Sequence, residues 1–260
     1  MCRQGLPLTD MRRPGGQLVR STSDRLVGPP GSERARTETI RYTVAGAAGV
    51  LLTVLLGAVV LRSGTPLGLD AGWHRWVLAH RNPGLSDVAV AVTDTGVGAC
   101  AYCLAAVAGA LAVPRWSRWW RWWLGAVAGV VALLLGQLLR TSLAVIVGRA
   151  RPPVADWITY PSGFAFPSGH TTTSALVAAG LAAVLYRRAR RRSTRVAAVA
   201  VPGIWAFTVG LSRIYLGVHW PTDVFAGWLL ATVLAVVCLP LLGALFAWIG
   251  RDQPDRPDPR

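Results

Sequence analysis

Six apolar runs constrain this chain more than any other feature. They lie at about Tyr42–Leu61, Ser86–Val113, Leu124–Val147, Ser168–Tyr186, Val196–Leu216 and Pro221–Ile249. Each is close to the roughly 20 residues that carry a helix across a bilayer. In hydrocarbon every backbone polar group must be paired within the protein, so runs of this length predict helices. The expected fold is therefore all-α, a polytopic membrane protein with six transmembrane helices in one domain over residues 42–250. Charged residues make up only 15% of the chain, where a soluble domain carries about 25%. Residues 1–41 are rich in Arg, Gly, Pro, Ser and Thr without an apolar run, which predicts a disordered cytoplasmic tail. Residues 251–260 form a second polar, proline-rich tail.

The net charge of +15 comes from arginine alone, because the chain has no lysine. Such a charge often marks a nucleic-acid partner. Here the arginines cluster between apolar spans, which points to membrane topology and away from nucleic acid. The Arg-Trp segment from Arg115 to Trp123 reads as an aromatic belt with snorkelling arginines. Six spans put both termini on one side, and that side carries twenty arginines against six on the other. The positive-inside rule makes the termini cytoplasmic and the opposite ends of the helices extracytoplasmic. Cys100 and Cys103 form a CxxC within Ala, Val and Leu, and read as small residues on a helix face. The connection Arg62–Leu85, with Trp73 and Trp76, suits a short interfacial helix. His74 and His80 read as its surface residues.

Three polar clusters fall in the third quarter, at ends of spans that all open on the extracytoplasmic side. They are Gly148-Arg149-Ala150-Arg151-Pro152-Pro153, Pro167-Ser168-Gly169-His170, and Ser212-Arg213 followed by His219 and Asp223. Ser168 is placed to cap the helix after Pro167. Free amides at a helix start attract anions, and glycine lets a phosphate approach. His170 lies in that first turn, where it can give a proton to a leaving oxygen. Ser-Gly-His alone fits a helix cap beside a surface histidine equally well. His219 and Asp223 are four residues apart, so the carboxylate can reach the imidazole and hold its tautomer. Arg151 and Arg213 offer planar forks for phosphate oxygens; the alternative is that both snorkel to headgroups.

In this order the motifs resemble those of the type 2 phosphatidic acid phosphatases, which share a fold and site with vanadium haloperoxidases. The resemblance spans roughly residues 85–245. It implies a six-helix bundle that hydrolyses a lipid phosphate or diphosphate with no metal or other cofactor. Polyprenyl diphosphate, phosphatidylglycerol phosphate and phosphatidic acid are the substrates it suggests. It makes His219 the nucleophile, through a phosphohistidine, with His170 as proton donor and Asp223 orienting His219. Arg151, Ser168, Gly169 and Arg213 would bind the phosphate. One departure stands out: the family's first motif opens on a lysine, and Ala144 occupies that position. Arg140 lies one turn deeper, about 6 Å away along the helix, and is expected to supply the missing charge. The alternative pairs Arg140 with Asp87 or Asp94. Arg149 is a further candidate, or faces headgroups. The rival functions are a non-catalytic lipid-binding or transport protein on this fold, and a vanadate-dependent peroxidase.

Overall fold

The computed structural model describes residues 30–115 and 117–249. The site lies within the compact unit that begins at Arg41. Eight helices run α1 Pro30–Leu61, α2 Gly68–Ala79, α3 Pro83–Asp94, α4 Gly98–Ala112, α5 Trp119–Val147, α6 Gly169–Arg188, α7 Arg192–Tyr215 and α8 Pro221–Ile249. No strand occurs among the described residues, so the all-α expectation holds. Of the tail expected over residues 1–41, the first 29 residues lie outside the described part. From Pro30 the chain is already helical, so α1 begins well before the expected span.

Four helices, α1, α5, α7 and α8, are long and apolar enough to cross a membrane. The second expected span is not one helix. It breaks into α3 and α4, which meet at a 47° bend and together are long and apolar enough for a broken span or a re-entrant loop. The break falls at Thr95-Gly96-Val97, where glycine weakens the helix. The fourth expected span is α6, 20 residues long. That is about 30 Å of helix, but its first turns are Gly-His-Thr-Thr-Thr-Ser, so it falls below the apolarity of the others. It gains its environment from protein instead, packing against α4, α5, α7 and α8.

Close approach of backbones holds the bundle, as expected where lipid removes the hydrophobic drive between helices. A Cβ at Gly109 of α4 would overlap the Gly125 carbonyl of α5, and one at Gly129 would overlap the Ala105 carbonyl. Polar residues in the spans find partners across the bundle. Tyr102 donates to Gln137 at 2.9 Å, and Gln137 donates to Thr173 at 3.3 Å, joining α4, α5 and α6. At the far end Arg188 of α6 donates to the carbonyls of Leu111 at 2.8 Å and Val113 at 3.0 Å, closing the end of α4.

The site end is built from loops and from α2. Gly148 ends α5 in the left-handed region (φ 62°), its N–H bonded to the Ala144 carbonyl at 3.0 Å. The prolines that follow keep residues 148–167 out of α-helix, apart from a short 3-10 turn at Val154–Asp156. Helix α2 turns Asp70, His74 and Val77 inward and leaves Trp73 and Trp76 exposed. The surface reading of His74 is therefore corrected. It is buried against the Trp220 ring at 5.2 Å and bonds Asp156 at 2.9 Å. His80 is exposed, as expected, and bonds the Trp76 carbonyl.

Candidate active site

His219 sits in the turn between α7 and α8, 1% exposed. Asp223 follows in the first turn of α8. Its Oδ2 lies 3.4 Å from His219 Nδ1 and accepts the Trp220 amide at 2.9 Å. On the other side of the ring, Arg151 Nη1 lies 2.8 Å from His219 Nε2. A guanidinium can only donate, so Nε2 must be the acceptor and the ring proton belongs on Nδ1, facing Asp223. The pair thus presents a lone pair on Nε2 toward the arginines. Burial first, and then the charges of Arg151, Arg213 and Arg140, push the His219 imidazole well below its usual pKa, which keeps it neutral.

Arg151 is pinned by carbonyls that flank it in space. It donates to Gly163 and Val218 at 2.9 Å each, to Ser162 at 2.9 Å and to Phe164 at 3.3 Å. Burial and the neighbouring Arg140 lower its pKa to about 10, still cationic at neutral pH. Arg213, at the end of α7, is 2% exposed and donates to Thr93 of α3 at 3.0 Å. Its Nε is buried without a partner, a donor in want of an acceptor. The headgroup-snorkelling alternative fails for both arginines, since each turns into the protein.

Ser168 and Gly169 open α6 as expected, but the Ser168 side chain does not cap it. Its hydroxyl accepts from Thr171 at 3.0 Å, and its amide donates to the Asp223 carbonyl at 2.9 Å. That backbone bond ties the second motif to the third. His170 is partly exposed beside them, within electrostatic reach of Arg213, His219, Arg151 and Arg140.

Arg140 also reaches this cluster. It donates to the Pro167 carbonyl at 2.7 Å and, from Nη2, to Phe164 at 3.5 Å. A Cβ added at Gly169 would stand 3.1 Å from its Cζ. Its bonds thus go to the loop ahead of α6 instead of to Asp87 or Asp94, so the ion-pair alternative is not what the fold adopts. Ala144 is 2% exposed on the same helix.

Arg149 corrects a second expectation. It does not face headgroups but is fully buried, bonded to Asp223 Oδ1 at 2.5 Å, Asp70 Oδ2 at 2.7 Å and Thr222 at 2.7 Å. Asp70 and Thr93 were not singled out by sequence reasoning. The available signals were a carboxylate in the first turn of an amphipathic helix and a hydroxyl inside an apolar run.

Arginines and two imidazoles gathered at one end of apolar helices offer an anion such as a phosphate a ready site. The comparisons with known proteins narrow it: residues 124–247 match the PAP2 superfamily, and the chain belongs to that family. It is 34% identical over 160 residues to a decaprenylphosphoryl-5-phosphoribose phosphatase of Mycobacterium tuberculosis, over 60% of this chain and 80% of that one. It is 29% identical over 192 residues to phosphatidylglycerophosphatase B of Bacillus subtilis, over 71% of this chain and 89% of that one. Among solved structures, a transmembrane PAP2-type phosphatidylglycerolphosphate phosphatase from Bacillus subtilis superposes with a TM-score of 0.61 at 24% identity. It covers 80% of this chain and 98% of that one. Aquifex aeolicus LpxE gives 0.50 at 22% identity, over 67% of this chain and 96% of that one. At those identities the structures speak for the fold alone.

Proposed function

We propose that this protein hydrolyses the phosphate or diphosphate of a membrane lipid at a site on the extracytoplasmic face. The observation that carries the reading is the Arg151 contact to His219 Nε2, which fixes the lone pair of the imidazole toward the cluster of cations. Arg140, Arg151 and Arg213 hold the phosphate, together with the amides at the start of α6. Their charge stabilises what a phosphoryl transfer spreads over the equatorial oxygens. His219 Nε2 attacks phosphorus while the P–O bond to the lipid breaks, and His170, which the bound phosphate's negative charge lets carry a proton among the arginines, gives that proton to the departing oxygen. Water then attacks the phosphohistidine, neutral His170 takes a proton from that water, and the P–N bond breaks to release phosphate. Asp223 holds the Nδ1 proton throughout.

Relatives named for phosphatidylglycerophosphate and for a decaprenyl-linked phosphoribose support a phosphate carried on a lipid anchor. Phosphatidylglycerol phosphate, phosphatidic acid and polyprenyl diphosphate are the candidate substrates. The arginine count supports a site outside and both termini in the cytoplasm. Three guanidinium groups supply the charge a cation would otherwise provide, so hydrolysis is expected to survive EDTA. The test is phosphate release by purified protein from a panel of lipid phosphates, with and without chelator. His219→Gln and Asp223→Asn should abolish it in wild-type-like folded protein. A chelator-sensitive reaction, or full activity in His219→Gln, would overturn the mechanism.

A further inference from the structure

Behind the catalytic pair lies a second layer of charge. Asp223 uses one oxygen for His219 and the Trp220 amide, and the other for Arg149. Arg149 bridges from Asp223 to Asp70, and neither Arg149 nor the two carboxylates has any exposure. Asp70 in turn accepts the Thr222 amide at 3.0 Å, the Thr222 hydroxyl at 2.8 Å and the Leu67 amide at 3.1 Å. Both of its oxygens are engaged. The chain Asp70–Arg149–Asp223–His219 therefore runs from α2, through the loop after α5, to the turn before α8.

We propose that Arg149 and Asp70 are positioning residues, which hold the Asp223 carboxylate against His219 and set the charge behind the imidazole. This rests on the reading of His219 as the nucleophile. Two carboxylates and one guanidinium leave the trio with one net negative charge. A phosphorylated or protonated imidazole carries one positive charge, which the trio balances. Arg149 alone would neutralise Asp223 and leave the ring without a counter-charge. Asp70 restores it by taking the other arm of the same guanidinium. Burying such a chain is no sure gain in stability, since apolar residues of like volume often do as well. Its placement directly behind the nucleophile gives it a use in the reaction.

The groups that face the His219 ring are Arg140 of α5, Arg151 of the following loop, His170 of α6, Arg213 of α7 and Asp223 of α8. The test leaves all of them in place. Asp70→Asn makes the trio neutral, so the acid limb of kcat/KM should move to lower pH by about half to one unit, and kcat should fall about tenfold with KM little changed. Arg149→Gln leaves two negative charges, so the limb should move to higher pH. Asp70→Asn with Arg149→Gln restores one net charge, and the limb should return toward the wild-type position. A merely structural role lowers the active fraction without moving the limb. Orthovanadate affinity, followed over the same pH range by tryptophan fluorescence, reads the same limb without turnover. A wild-type protein that binds vanadate but hydrolyses no lipid phosphate would sink the functional reading and still test the trio. Limbs that do not move in opposite directions in the two single variants overturn the proposal. Should only one single variant fold, its limb decides by direction. Should neither fold, Thr222→Val decides, because it removes the hydroxyl shared by Asp70 and Arg149 without changing charge. A fall in kcat per vanadate-binding site with KM and the limb unmoved supports the proposal, and an unchanged kcat overturns it.

Discussion

Gly169→Ala is a small change with a calculable effect on the phosphate site. A Cβ at this position would lie 3.1 Å from Cζ, 3.2 Å from Nη1 and 3.4 Å from Nε of Arg140. Comfortable contacts between carbon atoms lie at about 3.5–4.0 Å, so the guanidinium must retreat by about 0.5 Å. It is anchored through Nε to the Pro167 carbonyl at 2.7 Å, and cannot simply swing aside. At an effective dielectric of about 20, two unit charges roughly 4 Å apart interact by about 4 kcal/mol, and a retreat of roughly 0.5 Å costs about 0.5 kcal/mol of that. For a phosphate dianion the loss doubles to about 1 kcal/mol, or about fivefold in affinity. Gly169 opens α6, and alanine is the better helix former, so thermal stability should not fall. The assay is inhibition by inorganic phosphate and by vanadate, with KM for the lipid, in wild type and Gly169→Ala. The same substitution is then made in an Arg140→Met background, where the methyl group has no cation to displace and the effect should largely vanish. An affinity unchanged by Gly169→Ala, or a loss of equal size in both backgrounds, would refute the reasoning.

Arg140→Met alone should weaken phosphate binding while leaving the protein folded, and adding Ala144→Lys should recover activity by returning a cation one turn away; unchanged kinetics in folded Arg140→Met would remove Arg140 from the site. For topology, a cysteine at exposed Ala155 should react with an impermeant thiol reagent in intact cells, and one at Ser193 should react only after the membrane is opened, both in a background free of native cysteines. The reverse pattern would invert the insertion. His219 is held neutral in the fold but binds a proton below about pH 6.5 when unfolded. Its contribution to stability is therefore complete above that pH and is lost as pH falls below it, by about 1.4 kcal/mol per unit until the depressed folded value is reached. The melting temperature without phosphate should fall from pH 7 to 5 more steeply in wild type than in His219→Gln, and parallel curves would count against a buried neutral imidazole.

The parts of the site carried by local spacing were legible in the sequence. Ser168-Gly169-His170 stands at a helix start because Pro167 ends the loop before it, and His219 and Asp223 meet because four residues make one turn. Arg140 was legible for a different reason, since an ionised residue inside an apolar span needs a partner. Asp70 was not, because its partners Arg149 and Thr222 lie 79 and 152 residues away and long-range pairing has no local pattern. Arg149 was misplaced on the same account, because an arginine beside a membrane end and one sealed between carboxylates look identical in sequence. The bend between α3 and α4 was hidden by an apolar run that continues across it, although Gly96 lies at the break.

Helix α2 separates two kinds of constraint within twelve residues. Its inner face is committed at Asp70 and His74, one turn apart, the first to the charge behind Asp223 and the second to Asp156 on the loop that carries Arg151. Its outer face, with Trp73 and Trp76 in edge-to-face contact at 5.9 Å, holds none of these bonds. A library that varies the outer positions and spares the inner ones can therefore redraw the exposed surface beside the site while leaving these bonds in place. Transplanting the whole 62–82 segment from a relative, in contrast, also exchanges the carboxylate that pairs with Arg149.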